Sequence, residues 1–335
     1  MRLRETFKLF RKFCQLQFHH CISLKNNTVF KKMFSLDRPR DHDLHTIADF
    51  FEVLCLVSLD RVAGTDYLRD FIQDNRGDSS FTLSDGELED VLNQVQWRRQ
   101  AFQDWYPFSL IQNDRVLQAE EDLSNNQIWY VFLLLCGNLP LLTRRELYKP
   151  LTDAFEQVSV QVLTLLWPDT GQATTFGKNT TTFTGTKWER LNSLGKKIGG
   201  QPTLTENDFR NGDNGDGGID IAAWLPLDDH ESRNSIAVLG QCACSRSDWP
   251  AKQFEISMMR LRNCLLPSAP WIEMLFTPIL FRDSQGTWAV PTQVASVTLF
   301  DRLRILNAIR NGGGMAGFQM PGSVADALEY RLDVV

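Results

Sequence analysis

The sequence lacks the signatures of several common protein classes. Its longest apolar run, IWYVFLLLC at 128–136, is far shorter than the roughly 20 residues that span a bilayer, and it ends at Gly137. We therefore predict a buried helix there and no integral membrane segment. A Walker-type phosphate-binding loop is missing, and so is the glycine-flanked serine of a nucleophile elbow. The chain thus carries no nucleotide motif of its own.

The cysteine pattern excludes a disulfide framework and a standard zinc module. The seven cysteines are odd in number and scattered, and no secretory leader precedes them, so we expect a reducing, cytoplasmic location. Cys14, His19, His20 and Cys21 are metal-binding residue types, but their C-x4-H-H-C spacing is not that of a known zinc module.

An excess of positive charge is also missing. The formal net charge of −6 argues against a protein that coats nucleic acid indiscriminately, although it allows a local basic groove. The first 40 residues are the exception, because they hold ten lysines and arginines against two acidic residues. Leu3, Phe7 and Phe10 recur there at helical spacing. The segment predicts a cationic amphipathic helix that contacts a membrane surface, DNA or a partner, or packs on the rest of the protein.

The chain then divides by its hydrophobic pattern. From 43 to about 167 apolar residues recur at helical spacing. Three pairs match the capping box of a helix start: Ser84-x-x-Glu87, Ser124-x-x-Gln127 and Thr143-x-x-Glu146. We predict an all-helical amino-terminal domain over 1–170. Its expected role is to recognise a protein partner, a DNA feature or a second copy of the chain.

Composition and hydrophobic periodicity change after this helical part. Residues 171–186 are rich in threonine and glycine without a sustained period, which predicts a linker. From 187 to 335, helical segments alternate with short apolar runs at 219–225, 236–244 and 272–281. This order predicts an α+β or α/β domain whose central strands are buried on both faces.

Two of these runs carry polar residues that suit a metal site. In GDGGIDIAAW, Asp220 follows a glycine turn and lies in an otherwise apolar strand, where a carboxylate must be paired, protonated or bound to a cation. If the next strand, with Gln241, pairs beside it, the two side chains approach one another. With waters and a backbone carbonyl, which we assign to Cys242, they form a hard-oxygen site for Mg²⁺ or Mn²⁺.

These residues resemble the Mrr-like branch of the PD-(D/E)XK restriction-endonuclease superfamily, in which a GxD strand precedes a QxK strand. The resemblance covers about 188–281. It implies a central mixed sheet flanked by helices and Mg²⁺-dependent hydrolysis of DNA, with Asp220 and Gln241 positioning the metal. It also implies an assisting glutamate on the preceding helix, for which Glu189 is the candidate.

The motif lysine does not carry over, because Ala243 occupies its position. Three explanations stand. The chain is an inactivated nuclease, a cation comes from elsewhere, with Lys252 or Arg246 as candidates, or the domain is a natural pseudo-nuclease. We favour the first, because Asp220 and Gln241 are retained together.

The resemblance implies a DNA endonuclease that acts in bacterial defence against foreign DNA. A regulatory or ATPase subunit is an expected partner, since the chain has no nucleotide motif, and homo-oligomers are a further expectation. The alternative is a non-catalytic DNA-binding or scaffold protein built on a degenerate nuclease fold.

Overall fold

In the computed structural model, the structure is described for residues 36–37, 39, 43–73, 82–177, 179–210, 215–295, 297–315 and 317–332. The predicted basic amphipathic helix and the cluster of Cys14, His19, His20 and Cys21 lie outside these residues.

The amino-terminal half is mainly helical but includes a small sheet. Its elements are α1 (Leu44–Val57), β1 (Val62–Gly64), α2 (Thr65–Gln73), α3 (Asp85–Phe102), β2 (Phe108–Ile111), β3 (Val116–Ala119), α4 (Asn125–Cys136) and α5 (Tyr148–Leu166). The capping boxes at Ser84 and Ser124 form as predicted and begin α3 and α4. Each serine hydroxyl accepts a hydrogen bond from the N3 backbone amide, and the N3 side-chain oxygen accepts one from the serine N–H. The helix start predicted at Thr143 is wrong, because Arg145–Leu147 form a 3-10 turn and α5 begins only at Tyr148.

The prediction of an all-helical amino-terminal part is wrong. Strands β1, β3 and β2 form an antiparallel sheet in that order. Gln112, Asn113 and Asp114 have φ between +50° and +62° and turn the chain between β2 and β3. The two strands have only four residues each, too few for their alternation to stand out between capped helices.

The carboxy-terminal half is built on a five-stranded mixed sheet. Its elements are β4 (Gln172–Thr175), α6 (Lys187–Ile198), β5 (Gln201–Pro202), β6 (Ile221–Leu225), β7 (Ile236–Cys242), α7 (Trp249–Lys252), α8 (Met258–Leu261), β8 (Leu265–Leu266), β9 (Ile272–Phe276), β10 (Thr298–Phe300), α9 (Arg302–Asn311) and α10 (Gly322–Glu329). The sheet order is β10-β9-β7-β6-β4. Strands β4, β6 and β7 pair antiparallel, and β7, β9 and β10 pair parallel. A mixed sheet flanked by helices is thus confirmed.

Side-chain alternation divides the sheet between two apolar clusters. Ala222, Trp224 and Leu239 pack on one face with Leu191 and Leu194 of α6. Ile221, Ala223, Val238 and Phe276 face the other way and join the larger core, which also holds α5, α9 and the amino-terminal helices. The two halves of the chain therefore share one continuous core. The segment predicted as a linker contributes β4, an outer strand of the sheet.

A buried charge network crosses this shared core. Asp49 of α1 forms an ion pair with Arg98 of α3 at 2.7 Å and with Arg302 of α9 at 2.8 Å, and all three side chains are fully buried. The Glu52 carboxylate lies 2.8 Å from the same Arg98 and accepts hydrogen bonds from the Tyr106 and Tyr130 hydroxyls, at 2.7 and 2.8 Å. Glu52 and these two tyrosines belong to the same charge network.

The arginines decide the ionisation of this network. Burial alone would raise the pKa of Asp49, but Arg302, Arg98 and Arg246 hold that pKa well below its usual range. The carboxylate therefore stays charged inside the core. Within the described ranges, no helix is both long and apolar enough to cross a membrane.

Candidate active site

Asp220 lies at the end of a glycine turn, immediately before β6. Gly217 and Gly218 have φ of +73° and +87°, which favour glycine, and the Asp216 carboxylate accepts a hydrogen bond from the Gly218 N–H at 2.8 Å. The Asp220 N–H donates to the Gly240 carbonyl at 2.9 Å, and this bond fixes its backbone against β7. The turn thus delivers Asp220 to one end of the sheet.

Gln241 lies opposite Asp220 on the neighbouring strand. The register pairs Ile221 with Gly240, and the Cys242 N–H donates to Oδ2 of Asp220 at 2.8 Å. The Gln241 side chain is buried, and its Oε1 has no hydrogen-bond partner in the part of the chain that the structure describes. A buried carbonyl oxygen without a donor is costly, so this atom is suited to accept from a ligand or coordinate a cation.

A cavity of about 270 Å³ opens beside these two residues. Its lining includes five carboxylates and one lysine, so its interior is acidic and attracts cations. The lining residues come from α5, the glycine turn, β7 and the segment after it: Thr152, Asp153, Phe155, Glu156, Asp216, Asp220, Gln241, Cys242, Cys244, Lys252 and Glu255.

The acidic surroundings and burial change the ionisation of Asp220. Burial raises the pKa of Asp220 to about 6, the Cys242 N–H and Lys252 lower it, and Asp216 and Glu255 raise it. A carboxyl group with such a pKa takes up a proton under mildly acidic conditions. A bound cation would stabilise its ionised form.

Glu156 of α5 is a cavity residue that the sequence reasoning missed. A Cβ atom on Gly177 would lie 3.2 Å from Oδ1 of Asp220 and 3.4 Å from Oε1 of Glu156, so both carboxylates converge on that glycine. Asn179 donates to Oε2 of Glu156 at 2.9 Å, and the side chain is buried. The sequence offered one signal, a glutamate next to Phe155 and Val158 on the apolar face of a helix.

The structure places Glu189 elsewhere. It occupies the N3 position of α6, where its carboxylate accepts from the Thr186 N–H at 2.7 Å and Thr186 Oγ accepts from the Glu189 N–H at 3.3 Å. Glu189 is exposed and is not among the residues that line the cavity. The pair Thr186-x-x-Glu189 is itself a capping-box signal in the sequence.

Ala243 does not line the cavity either. Its N–H donates to the Phe276 carbonyl at 2.9 Å, and its side chain is buried in an apolar cluster with Trp249, Leu275 and Phe281. A lysine ammonium at this position would meet apolar neighbours.

The two other candidate cations lie in different environments. The Lys252 side chain lines the cavity, lowers the pKa of Asp220, and lies 3.2 Å from the Glu255 carboxylate. Arg246 instead forms an ion pair with Asp49 of the buried charge network and is not among the residues that line the cavity. Lys252 is therefore the lysine that the structure brings to Asp220.

The cavity suits a divalent cation because of the kind of ligand atoms that line it. Asp220, Glu156 and Gln241 present oxygen atoms to the cavity, which are the ligands that Mg²⁺ and Mn²⁺ prefer. Burial raises the pKa of the Cys242 thiol well above its usual range, so the sulfur stays protonated and only its backbone carbonyl suits a hard cation. Among the described residues, no three acidic, cysteine or histidine side chains already surround a single point where an ion would sit.

Comparisons with known proteins add little to this geometry. No protein-family model matches the chain, and no curated protein does. One solved structure that matches is the MspJI restriction endonuclease in complex with a 27-mer oligonucleotide, with 15% identity and a TM-score of 0.31. The match covers 63% of this chain and 38% of that chain, so this chain spans well under half of its length. We transfer no residue role from it.

Proposed function

We propose that the chain is a metal-dependent nuclease that hydrolyses DNA phosphodiester bonds in the cavity at Asp220. The observation that carries the proposal is the convergence on one acidic cavity of four residues from four parts of the chain: Glu156, Asp220, Gln241 and Lys252. Two carboxylates, an amide oxygen and a lysine are the groups that phosphodiester hydrolysis with Mg²⁺ requires.

In this proposal each side chain has a distinct task. Asp220, Glu156 and the orphan Oε1 of Gln241 would hold the cation, which when bound activates water and stabilises charge on the phosphate. Lys252 orients the attacking water and neutralises the phosphate, in place of the lysine absent from position 243. Its contact with the Glu255 carboxylate at 3.2 Å orients the ammonium.

The test is cleavage of plasmid DNA by the unmodified chain with Mg²⁺ or Mn²⁺. Asp220→Ala should abolish cutting, and Lys252→Ala should slow it by at least about a hundredfold. Lys196→Ala, which removes an exposed lysine from the last turn of α6, is the matched control and should cut normally. The proposal fails if the unmodified chain leaves both DNA and RNA intact, or if Lys252→Ala cuts at the normal rate.

The second candidate is a DNA-binding or scaffold protein without catalysis. Ala243 favours it, because this residue occupies the position of the motif lysine and is buried among apolar side chains. Gel shifts in EDTA discriminate the two: binding that needs no metal, without cleavage in any metal, supports the scaffold. A role in bacterial defence, a regulatory or ATPase partner and self-association remain predictions from the sequence resemblance.

A further inference from the structure

Two carboxylates of the cavity are each held at one oxygen by a donor of the protein. Oδ2 of Asp220 accepts from the Cys242 N–H at 2.8 Å. Oε2 of Glu156 accepts from the Asn179 side-chain amide at 2.9 Å. The other two oxygens lie beside one glycine, because a Cβ atom on Gly177 would be 3.2 Å from Oδ1 of Asp220 and 3.4 Å from Oε1 of Glu156. A donor on one oxygen orients the whole carboxylate, so it determines where the second oxygen points.

Asn179 belongs to the segment that follows β4, and this segment is also attached to Asp220. The Phe176 and Gly177 N–H groups both donate to the Asp220 carbonyl, at 2.7 and 3.2 Å. The Thr175 hydroxyl donates to the Asn179 carbonyl at 3.2 Å, which anchors the Asn179 backbone to the end of β4. The segment thereby joins the backbone of Asp220 to the carboxylate that Asn179 holds.

The Asn179 amide contacts two acidic side chains of α5. Besides its bond to Glu156, Nδ2 donates to Oδ1 of Asp153 at 3.4 Å, and the other oxygen of Asp153 pairs with Lys149. Asp153 and Glu156 are three residues apart and both line the cavity, so the two carboxylates repel each other when both are ionised. An amide has two N–H groups and can donate to both carboxylates without adding a charge. The effect of Asn179 is therefore on the direction of these side chains.

We infer that Asn179 is a positioning residue, which holds the Glu156 carboxylate in the direction that a divalent cation beside Asp220 requires. With Oε2 bound to the amide, Oε1 is the Glu156 oxygen that faces Asp220. Glycine at position 177 allows this approach, because a Cβ atom there would crowd both oxygens. The inference rests on the proposed function, which supplies the cation. Asn179 itself contacts neither the cation nor the DNA and acts through Glu156.

The experiment measures Mn²⁺ binding to the full chain, without DNA, by isothermal titration calorimetry extended to millimolar Mn²⁺. Asn179→Leu removes the donor at similar size, and Mn²⁺ should then bind about ten- to a hundredfold more weakly. In a Glu156→Gln background the same substitution should change Kd by less than about twofold, because the carboxylate that Asn179 holds is gone. A residue that only stabilises its own segment would weaken binding equally in both backgrounds.

Asn126→Leu is the matched control. Asn126 is also half-buried and donates to a carboxylate, that of Asp104 at 3.2 Å, but it is not among the described residues that line the cavity. Its substitution should leave the Kd for Mn²⁺ within about twofold of the unmodified chain. Asn179→Ala removes the donor without adding bulk and should reproduce the loss. Thermal melting without metal identifies misfolding, and if Asn179→Leu does not fold, Asn179→Ala decides the outcome.

The inference is overturned if Asn179→Leu and Asn179→Ala both bind Mn²⁺ as tightly as the unmodified chain, or if the loss is equal in the Glu156→Gln background. Neither result contradicts the nuclease proposal, in which Asp220 and Glu156 remain the ligands. A chain whose Mn²⁺ affinity depends on Asn179 and Glu156 as expected, but which never cuts DNA, contradicts only the proposed function. Failure of the unmodified chain to bind Mn²⁺ contradicts both.

Discussion

Asp49 and Arg302, 253 residues apart in the chain, form two hydrogen bonds of 2.8 and 3.1 Å with both side chains fully excluded from solvent. The first belongs to the amino-terminal helices and the second begins the helix that follows the last strand of the large sheet. A charge left without its partner in such a place has no water to replace it. The pair therefore makes the placement of the two halves specific.

Arg302→Met tests this pairing. It should lower the free energy of unfolding by about 3–5 kcal/mol, because Asp49 loses its bidentate partner and remains buried. Urea unfolding followed by circular dichroism measures the change. Arg99→Met, on an exposed position of α3, is the control and should stay within about 0.5 kcal/mol of the unmodified chain. Equal effects of the two substitutions would contradict the role of the network.

Asp220 should leave a pH signature on stability. Its pKa is raised to about 6, above the value of about 4 in the unfolded chain, so the native state holds its proton longer. The contribution of Asp220 to stability should therefore be largest below about pH 4 and should fall between about pH 4 and 6, by a few kcal/mol at most.

Asp220→Asn removes that ionisation. The variant should lose the decline between pH 4 and 6 and be more stable than the unmodified chain at pH 8, since Asn can still accept from the Cys242 N–H. Unfolding midpoints at several pH values provide the measurement, with Asp229→Asn at an exposed position as the control. Parallel pH profiles for the unmodified chain and Asp220→Asn would show that Asp220 titrates normally.

The two glutamates, Glu156 and Glu189, should respond differently to metal. Mg²⁺ that binds only the native state raises Tm, by an amount equivalent to about 2.7 kcal/mol at a hundred times Kd. Glu156→Gln should reduce this rise, whereas Glu189→Gln should preserve both the rise and the capping box, which accepts glutamine at N3. If Glu189→Gln alone reduces the effect of Mg²⁺, the assignment of Glu156 is wrong.

Ala243→Lys separates two explanations of the missing lysine. An enzyme inactivated at this position regains cleavage with the substitution. Because Ala243 packs with Trp249 and Leu275, we expect instead a loss of at least about 2 kcal/mol of stability and no gain in cutting. Plasmid cleavage and urea unfolding of the same preparation decide between them.

The sequence predicted those helix starts whose hydrogen bonds join residues close together in the chain. The capping boxes at Ser84 and Ser124 were readable because all their partners lie within three residues. The prediction that Asp220 and Gln241 approach one another needed only the alternation of side chains and one assumed strand pairing. That pairing is present, because β6 and β7 pair antiparallel with Ile221 opposite Gly240.

Glu156 and the short strands β2 and β3 could not be found in this way. Glu156 reaches the cavity only because α5 packs across the sheet; its neighbours Phe155 and Val158 indicate a buried helix face, but they do not show which site that face meets. Glu189 was the candidate because the resemblance implies a glutamate on the preceding helix, although the threonine three residues before it indicated a cap. Tertiary contacts, and not residue type, separate the two.

The Asp49–Arg302 pair also constrains how such a chain can evolve. A carboxy-terminal half transferred by recombination to another protein would arrive with a buried guanidinium and no acceptor. The carboxy-terminal half is thus not an exchangeable cassette. It needs the helices that precede it, because a substitution at either end of the pair leaves the other charge buried without its partner.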